Sequence, residues 1–358
     1  MIQFIIRRLL LAIPVLLGIL FITFALARLI PGDPCRAALG EHATDAICNA
    51  YAERFGLNKP IPEQFVIYLS DVLRGDLGDS FRLGQPVTEI LVDRLPITVE
   101  LAFSSLIFAS VFGIIFGTIS AYWRNSPIDV ITMLGANIGV SIPVFVLGLV
   151  LAYFFAISLK DTPLALPPSG RLSPGMPVPS LAEVWRLEHL EGLPRGILDF
   201  MSNVHLFSAL VTFNWALLGD SIKHLILPTI AVGTIPMSII ARMTRSSLLD
   251  VLGLDYTRTA RAKGLRERVV IFRHAMSNSL LPVVTVIGLQ LGAILGGAVL
   301  TETVFGLSGM GRALFEAITA RDYTVVQGFT LIIALFFVTI NLLVDVSYAY
   351  LDPRVRLN

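Results

Sequence analysis

The sequence predicts an all-α membrane protein with about six transmembrane helices. Hydrophobic residues make up 55% of the 358 residues and charged residues make up 15%, and the mean hydropathy is +0.77. Soluble domains carry nearer to about 25% charged residues, so this excess of apolar side chains requires lipid. The apolar runs are also far longer than the strands of membrane barrels, and a helix satisfies its own backbone hydrogen bonds in lipid.

Six segments are long and apolar enough to cross the hydrocarbon core, which needs roughly 20 residues of helix. They are residues 9–27, 101–123, 130–159, 225–241, 275–301 and 323–344. The first is too long for a signal peptide and ends without a small-residue cleavage pattern, so we expect it to be retained. The uncharged stretch 201–219 contains polar residues such as Asn203 and His205, which are costly against lipid. We expect an interfacial or re-entrant element there.

The distribution of lysine and arginine near the ends of these segments predicts the orientation in the membrane. With both termini in the cytosol, the cytosolic segments hold Arg7, Arg8, Arg124, Arg354, Arg356 and the basic run from Arg242 to Arg273. The long polar segments 31–96 and 160–222 then lie outside, where they form either a docking surface for an external partner or an ordered cap. Cys35 and Cys48 lie in the first of them and are either disulfide-bonded or unpaired thiols.

These segments divide the chain into four parts. Residues 1–30 form an N-terminal transmembrane helix, and residues 31–96 form an extracytoplasmic segment. Residues 97–350 form the main membrane domain, which contains the outer loop 160–222 and a cytosolic loop at 242–280. Residues 351–358 are predicted to be a cytosolic tail.

The cytosolic loop between the fourth and fifth spans is the most informative segment. Between residues 242 and 278 it contains eight basic and three acidic residues, which makes it too polar to enter lipid. A glycine costs about 1 kcal/mol in a helix, so Gly264 predicts a break between two short helices. Pro282 is expected to begin the following span. Small residues such as Ala260 would let another protein approach, and the arginines offer it charge-assisted contacts. Alternatively, the loop only fixes the topology and touches anionic lipid.

Polar residues in or near the spans keep other functions open. The residues that either line a path or make helix–helix hydrogen bonds are Asn137, Gln290, Glu302, Gln327, Asn341 and Asp345. An ion-driven secondary transporter or channel is therefore the alternative, although it has no evident need for the glycine-broken loop. The serine in Gly306-Leu307-Ser308-Gly309 lacks a histidine that could serve as its base, so no catalytic residue is assigned. The sequence also lacks a phosphate-binding ATPase loop, a metal-ligand spacing and an aromatic platform for nucleic acid.

Several motifs resemble bacterial ABC importer permeases of the dipeptide and oligopeptide branch. The strongest is the run at 256–265 with residues 273–275 and 278–282, which resembles the family's cytosolic coupling loop. The coupling residues implied are Tyr256, Arg258, Thr259, Ala260, Arg261, Ala262, Lys263, Gly264 and Leu265. Residues 30–34, 55–60 with 74–80, 301–311, and Asp345 with 352–354 also resemble this branch. The general importer pattern has Glu-Ala-Ala where this sequence has Arg258-Thr259-Ala260, and the segment 160–222 matches poorly.

The resemblance implies a type I ABC importer permease fold, with large extracytoplasmic segments after the first and third helices. It also implies a bacterial inner-membrane heterodimer with a second homologous permease. Two cytosolic ATPase subunits would bind ATP and magnesium, so this chain needs no cofactor of its own. An extracytoplasmic peptide-binding protein would deliver the cargo, and nucleic acid is not a partner. The cargo implied is a dipeptide or longer peptide, with nickel chelates, glutathione and opines as alternatives.

Overall fold

The computed structural model describes residues 2–29, 43–54, 56 and 58–351. In these residues the protein consists of helices, and the one extended pairing is an isolated bridge between Asp79 and Pro86. The helices are α1 (Ile2–Leu29), α2 (Asp45–Arg54), α3 (Ile61–Leu73), α4 (Val87–Tyr122), α5 (Pro127–Ser141), α6 (Val144–Tyr153), α7 (Leu181–Val184), α8 (Leu193–Asn203), α9 (His205–Val211), α10 (Trp215–Leu252), α11 (Asp255–Ala262), α12 (Glu267–Val269), α13 (Met276–Gly297), α14 (Val299–Val304), α15 (Met310–Thr319) and α16 (Tyr323–Leu351). Two π-helical segments, Phe154–Ser158 and Val270–Ala275, follow α6 and precede α13.

The predicted fold class, an all-α membrane protein, is confirmed. Helices α1, α4, α10, α13 and α16 belong to five segments that are long and apolar enough to cross a membrane, and α5 with α6 is a sixth candidate. The two longest described helices far exceed what a crossing requires, because α4 has 36 residues and α10 has 38. At about 1.5 Å per residue, each exceeds the roughly 30 Å thickness of the hydrocarbon core, so their ends project beyond it.

Polar contacts gather at two opposite ends of the helical bundle. At the end where α4 finishes and α5 begins, Asp129 of α5 binds Arg245 of α10, and α11 follows nearby; we call this the basic end. At the other end, where α4 begins, Glu100 of α4 binds Arg171 of the long segment between α6 and α10. We call this the loop end.

The third predicted span, residues 130–159, is broken into two helices and remains a candidate span only as a bent pair. Its two halves, α5 and α6, are bent by 104° at the break before α6. Pro143 causes the break, because proline cannot continue the hydrogen-bond ladder and keeps the preceding residue extended, here at φ −94° and ψ 125°. The two helices together extend from the basic end toward the loop end. Gly139, before the break, packs against α10, and Gly148, after the break, packs against Phe305 near the loop end.

The structure also bears on the predictions for residues 201–219 and Pro282, whereas those for the cysteine pair and the tail depend on residues it does not describe. Residues 201–219 do not form a span, because they are divided among the end of α8, α9 and the start of α10. Pro282 does not begin the fifth span but lies inside α13, which starts at Met276. The choice between a Cys35–Cys48 disulfide and two unpaired thiols falls outside the described residues, since 30–42 are not described. The tail 352–358 lies outside them as well.

Two glycines allow α4 and α10 to approach closely. Gly113 and Gly117 lie one turn apart on α4 and both face α10. A Cβ atom at Gly117 would lie 2.5 Å from the carbonyl oxygen of Ala241 and 2.6 Å from Cβ of Thr244, closer than packed atoms allow. Membrane helices use this spacing of small residues to bring their backbones together. The pair therefore sets the separation of the two longest described helices.

Gly117→Ala is expected to destabilise the protein by about 1–3 kcal/mol, because the added methyl group pushes α4 away from α10. Gly135→Ala is the matched control, because Gly135 is also inside a helix but has no atom within 4 Å of its Cβ position. The control should be neutral or gain up to about 1 kcal/mol of helix propensity. Thermal unfolding of the purified variants in detergent measures both effects. Equal shifts would contradict the close packing.

Candidate functional site

The residues after α10 form a short separate helix, α11, at the basic end. Thr257 anchors its first turn, because this residue is fully buried and its hydroxyl donates to the carbonyl oxygens of Leu252 and Leu254 at 2.9 and 2.7 Å. Both acceptors belong to the end of α10 and the turn that follows it. These bonds fix the direction in which α11 leaves α10.

Gly264 ends α11, as the sequence predicts. It has φ +77°, a left-handed conformation that glycine adopts without strain. The N–H of Gly264 donates to the carbonyl of Arg261 at 2.9 Å, and the N–H of Leu265 donates to that of Ala260 at 3.4 Å. These two bonds form a Schellman motif, the usual glycine-dependent helix ending. Backbone geometry alone sets this break, because no atom lies within 4 Å of the Cβ position.

One face of α11 turns toward the protein and the other toward solvent. Ala260 is 7% exposed and lies on the same buried face as Thr257. Ala260 is therefore not part of the surface that a partner would touch. The other residues predicted for this site are exposed, namely Tyr256, Arg258, Thr259, Arg261, Ala262, Lys263, Gly264 and Leu265.

Polar contacts also connect α11 to the segment that leads into α13. The Tyr256 hydroxyl donates to the carbonyl of His274 at 3.3 Å and accepts from the side-chain amide of Asn278 at 2.9 Å. Arg261 donates twice to Glu267 of α12, at 2.7 and 3.1 Å. A displacement of α11 would therefore be passed to both α10 and α13.

The exposed face of α11 carries cations that an acidic partner can reach. Arg258 lies 3.5 Å from Asp255, in an ion pair whose side chains are both mostly in solvent. Such pairs contribute about 0–1 kcal/mol, so Arg258 is easily released to another partner. Lys263 forms no ion pair with any residue that the structure describes.

Glu302 is enclosed by protein at the loop end. Its carboxylate is fully buried and accepts from the Thr98 hydroxyl of α4 at 2.6 Å and from the backbone N–H of Arg312 at 2.9 Å. The Thr98 oxygen accepts in turn from the N–H of Met310 at 2.8 Å. Glu302 therefore caps the start of α15 and joins it to α4, as carboxylates favourably do at helix N-termini.

The other expected path residues are spread over several surfaces. Asn137 of α5 accepts from Arg242 of α10 at 3.0 Å. Gln290 is partly exposed on α13, and Gln327 is 5% exposed. Asn341 donates to a carbonyl of its own helix at 2.9 Å. The side chain of Asp345 lies outside the described part of the structure.

The sequence pattern did not predict the ion pair between Asp129 and Arg245 at the basic end. Asp129 is 5% exposed, and it accepts two hydrogen bonds from the Arg245 guanidinium at 2.7 and 2.9 Å. It also accepts from the Ser120 hydroxyl and, at 3.0 Å, from the N–H of Asn125. This carboxylate joins α4, α5 and α10 immediately beside the loop that carries α11. Residues 116 positions apart give no local signal of such a pair.

At the loop end, Arg171 fastens the segment between α6 and α10 to the bundle. Its guanidinium donates to Glu100 at 2.8 Å and to the carbonyl of Asn203 at 2.6 Å, while Glu100 also accepts from the N–H of Leu206 at 2.7 Å. Burial, together with the positive charge of Arg171, lowers the pKa of His205 to about 3. His205 is therefore neutral at neutral pH.

Arg171→Met is expected to loosen α8 and α9, because it leaves the buried carboxylate of Glu100 without its cation. Amide hydrogen exchange should show at least about tenfold faster exchange across residues 193–211, which corresponds to about 1.4 kcal/mol. Arg195→Met is the control, since Arg195 pairs with Asp199 at the surface. Unchanged exchange in Arg171→Met would show that this ion pair does not hold the segment.

The geometry defines a multi-spanning membrane protein whose basic loop carries a short helix with exposed arginine and lysine side chains. The chain belongs to the family of binding-protein-dependent transport system inner membrane components, whose model matches residues 113–357, and the model of the family's N-terminal region matches residues 1–102. It is a permease component of an ABC transport system, and its expected dipeptide-permease affiliation is confirmed.

Similar proteins cover the whole chain. The dipeptide transport system permease protein DppB of Alkalihalophilus pseudofirmus is 44% identical over 99% of this chain and 100% of its own length. The protein of the same name from Escherichia coli is 42% identical over 99% of both chains. The glutathione transport system permease protein GsiC of Pectobacterium atrosepticum is 37% identical, also over 99% of both chains.

Proposed function

We propose that the protein is the membrane-spanning subunit of an ATP-binding-cassette importer that moves dipeptides and oligopeptides into the cytoplasm. Partner ATPases would drive alternating access of the pathway to the two sides of the membrane. The observation that carries this proposal is α11, a short helix fixed to both α10 and α13 with its basic face exposed. A helix held in this way can transmit a push from a bound subunit to two spans at once. This chain would supply no catalysis.

The orientation follows from the position of the cations. The basic end carries α11 and Arg124, and the positive-inside tendency supports a cytosolic position for this end and for both chain termini. Two ATPase subunits would bind ATP and magnesium there, against the exposed face of α11. A second homologous permease would lie beside this chain in the inner membrane. An extracytoplasmic peptide-binding protein would dock at the loop end.

A peptide cargo agrees best with the names of the similar proteins. Dipeptide systems and a glutathione system occur among them, and glutathione is itself a small peptide-like acid. A solute with free amino and carboxylate groups is the chemistry these cargos share. Family membership favours an importer permease over an ion-driven carrier or channel.

The test is to co-purify the chain with candidate ATPase subunits and to measure peptide-stimulated ATP hydrolysis in liposomes. Lys263→Glu is expected to weaken ATPase binding at least about tenfold, because it reverses a charge on the contact face. Arg124→Glu makes the same charge change at an exposed position of the basic end outside α11, and it should bind ATPase normally. If the wild-type chain transports peptide with no ATPase bound, the proposal fails and an ion-driven carrier replaces it.

A further inference from the structure

A cavity that opens widely to the surface lies at the basic end between α5, α10 and α13, away from the exposed face of α11. Its volume is about 590 Å³, within the roughly 300–1,000 Å³ range of small-molecule sites. Asn137 comes from α5, Arg242 and Ser246 come from α10, and Val286 comes from α13. Gln290 lies one helical turn beyond Val286 on the same face of α13, outside the lining of the cavity.

Arg242 gives this cavity a cation that is not neutralised. Its guanidinium donates to the Asn137 side-chain oxygen at 3.0 Å and forms no ion pair with any described residue. Arg245 also borders the cavity, but Asp129 neutralises it. No acidic residue lines the cavity within the described part of the chain. A guanidinium has five N–H donors, so Arg242 retains most of its hydrogen-bonding capacity for an anion.

The position of Arg242 favours a water-filled cavity. It lies three residues before Arg245 on α10, which places it about 4.5 Å farther into the bundle. An unpaired guanidinium facing hydrocarbon is costly, and such residues normally face a water-filled space or a path for solutes. The remaining walls include Met133, Met243 and Val286. Methionine side chains adapt to differently shaped apolar groups, so these walls suit a variable ligand.

We propose that Arg242, oriented by Asn137, binds the C-terminal carboxylate of the peptide as it leaves toward the cytosol. This site rests on the proposed function and adds a carboxylate-selective step to it. One carboxylate is common to peptides of every sequence, whereas the side chains differ and meet only the adaptable apolar walls. A bidentate arginine–carboxylate contact provides both affinity and orientation.

The phosphate of an acidic lipid headgroup is a second anion that Arg242 can bind. A reporter thiol distinguishes the peptide carboxylate from the lipid phosphate. Ser246 lines the cavity and is exposed, so Ser246→Cys can be labelled with N-ethylmaleimide in the assembled transporter. Labelling is measured without binding protein, in vesicles whose cytosolic face is outward. The probes are dialanine and dialanine amide, and the vesicles are made with phosphatidylcholine alone or with added phosphatidylglycerol.

Dialanine is expected to slow the labelling, and the amide should require about tenfold higher concentration because it lacks the charged acceptor. Arg242→Gln should abolish this difference, Arg242→Lys should retain part of it, and Arg124→Gln should retain all of it. Equal protection by both probes, no protection, or a rate that responds only to phosphatidylglycerol would overturn the proposal. ATP-driven transport is scored separately in matched vesicles that enclose dialanine and the binding protein, as release of dialanine from the lumen, because the cytosolic face is outward. Release without carboxylate-dependent protection removes this site and leaves the proposed function intact, whereas absent release counts against the function itself.

Discussion

Gly264→Pro is expected to reduce ATP-driven peptide uptake by about 100-fold while the transmembrane helices stay folded. Proline fixes φ near −65°, whereas Gly264 has φ +77°, and proline also removes the N–H that donates to Arg261. A proline at an incompatible position costs about 3 kcal/mol or more, which corresponds to roughly two powers of ten in the population of the correct loop. The ending of α11 would be lost, and a bound ATPase would no longer push against a fixed helix.

The matched control is Gly264→Asn at the same position. Asparagine tolerates the left-handed conformation, and no atom lies within 4 Å of the Cβ position that would obstruct its side chain. It should retain most of the uptake. Uptake and thermal unfolding are measured on the same preparations of both variants. Normal uptake by a folded Gly264→Pro variant would falsify the role assigned to the Schellman ending.

Asp129→Ala is expected to destabilise the protein by about 3–5 kcal/mol, the range seen when one partner of a buried ion pair is removed. The substitution leaves Arg245 without its carboxylate and removes the acceptor for Ser120 and for the N–H of Asn125. The contacts among α4, α5 and α10 at the basic end would all weaken. Denaturant titration in detergent micelles measures the loss.

Glu316→Gln serves as the control, because Glu316 pairs with Arg312 across one helical turn with both side chains substantially exposed. Its cost should be no more than about 1 kcal/mol. A double variant, Asp129→Leu with Arg245→Met, should recover part of the loss, since it removes both buried charges. Additive costs of the two single substitutions would show that the residues do not act as a pair.

Local patterns were sufficient for much of the fold and for one part of the site. Apolar length predicted the spans, because each helix must cross the same hydrocarbon thickness. Gly264 predicted the end of α11, because the left-handed conformation there depends on a single residue type. Pro143 also signalled a break, but the apolar run from 130 to 159 obscured it, since a bend inside a span changes no hydropathy.

Local sequence patterns did not predict which residues of the site are buried and which face solvent, nor the partners of the polar ones. Ala260 and Lys263 are only three positions apart, yet one faces the chain and the other faces solvent. The direction of α11 depends on the contacts of Thr257 with the end of α10, and the sequence alone does not give that direction. Glu302 was an expected path residue, but the structure encloses it between Thr98 and the start of α15.

The sequence by itself determined that this is a helical membrane protein with a broken basic loop, because hydrophobic length and a required glycine are properties of neighbouring residues. Only the tertiary structure decided that Asp129 pairs with Arg245 and that Asn137 meets Arg242. These partners lie more than 100 positions apart, on helices whose rotation is set by close packing such as that at Gly117. Polar contacts between membrane helices depend on the distance between the helices and on the rotation of each helix about its axis. Hydropathy encodes neither quantity.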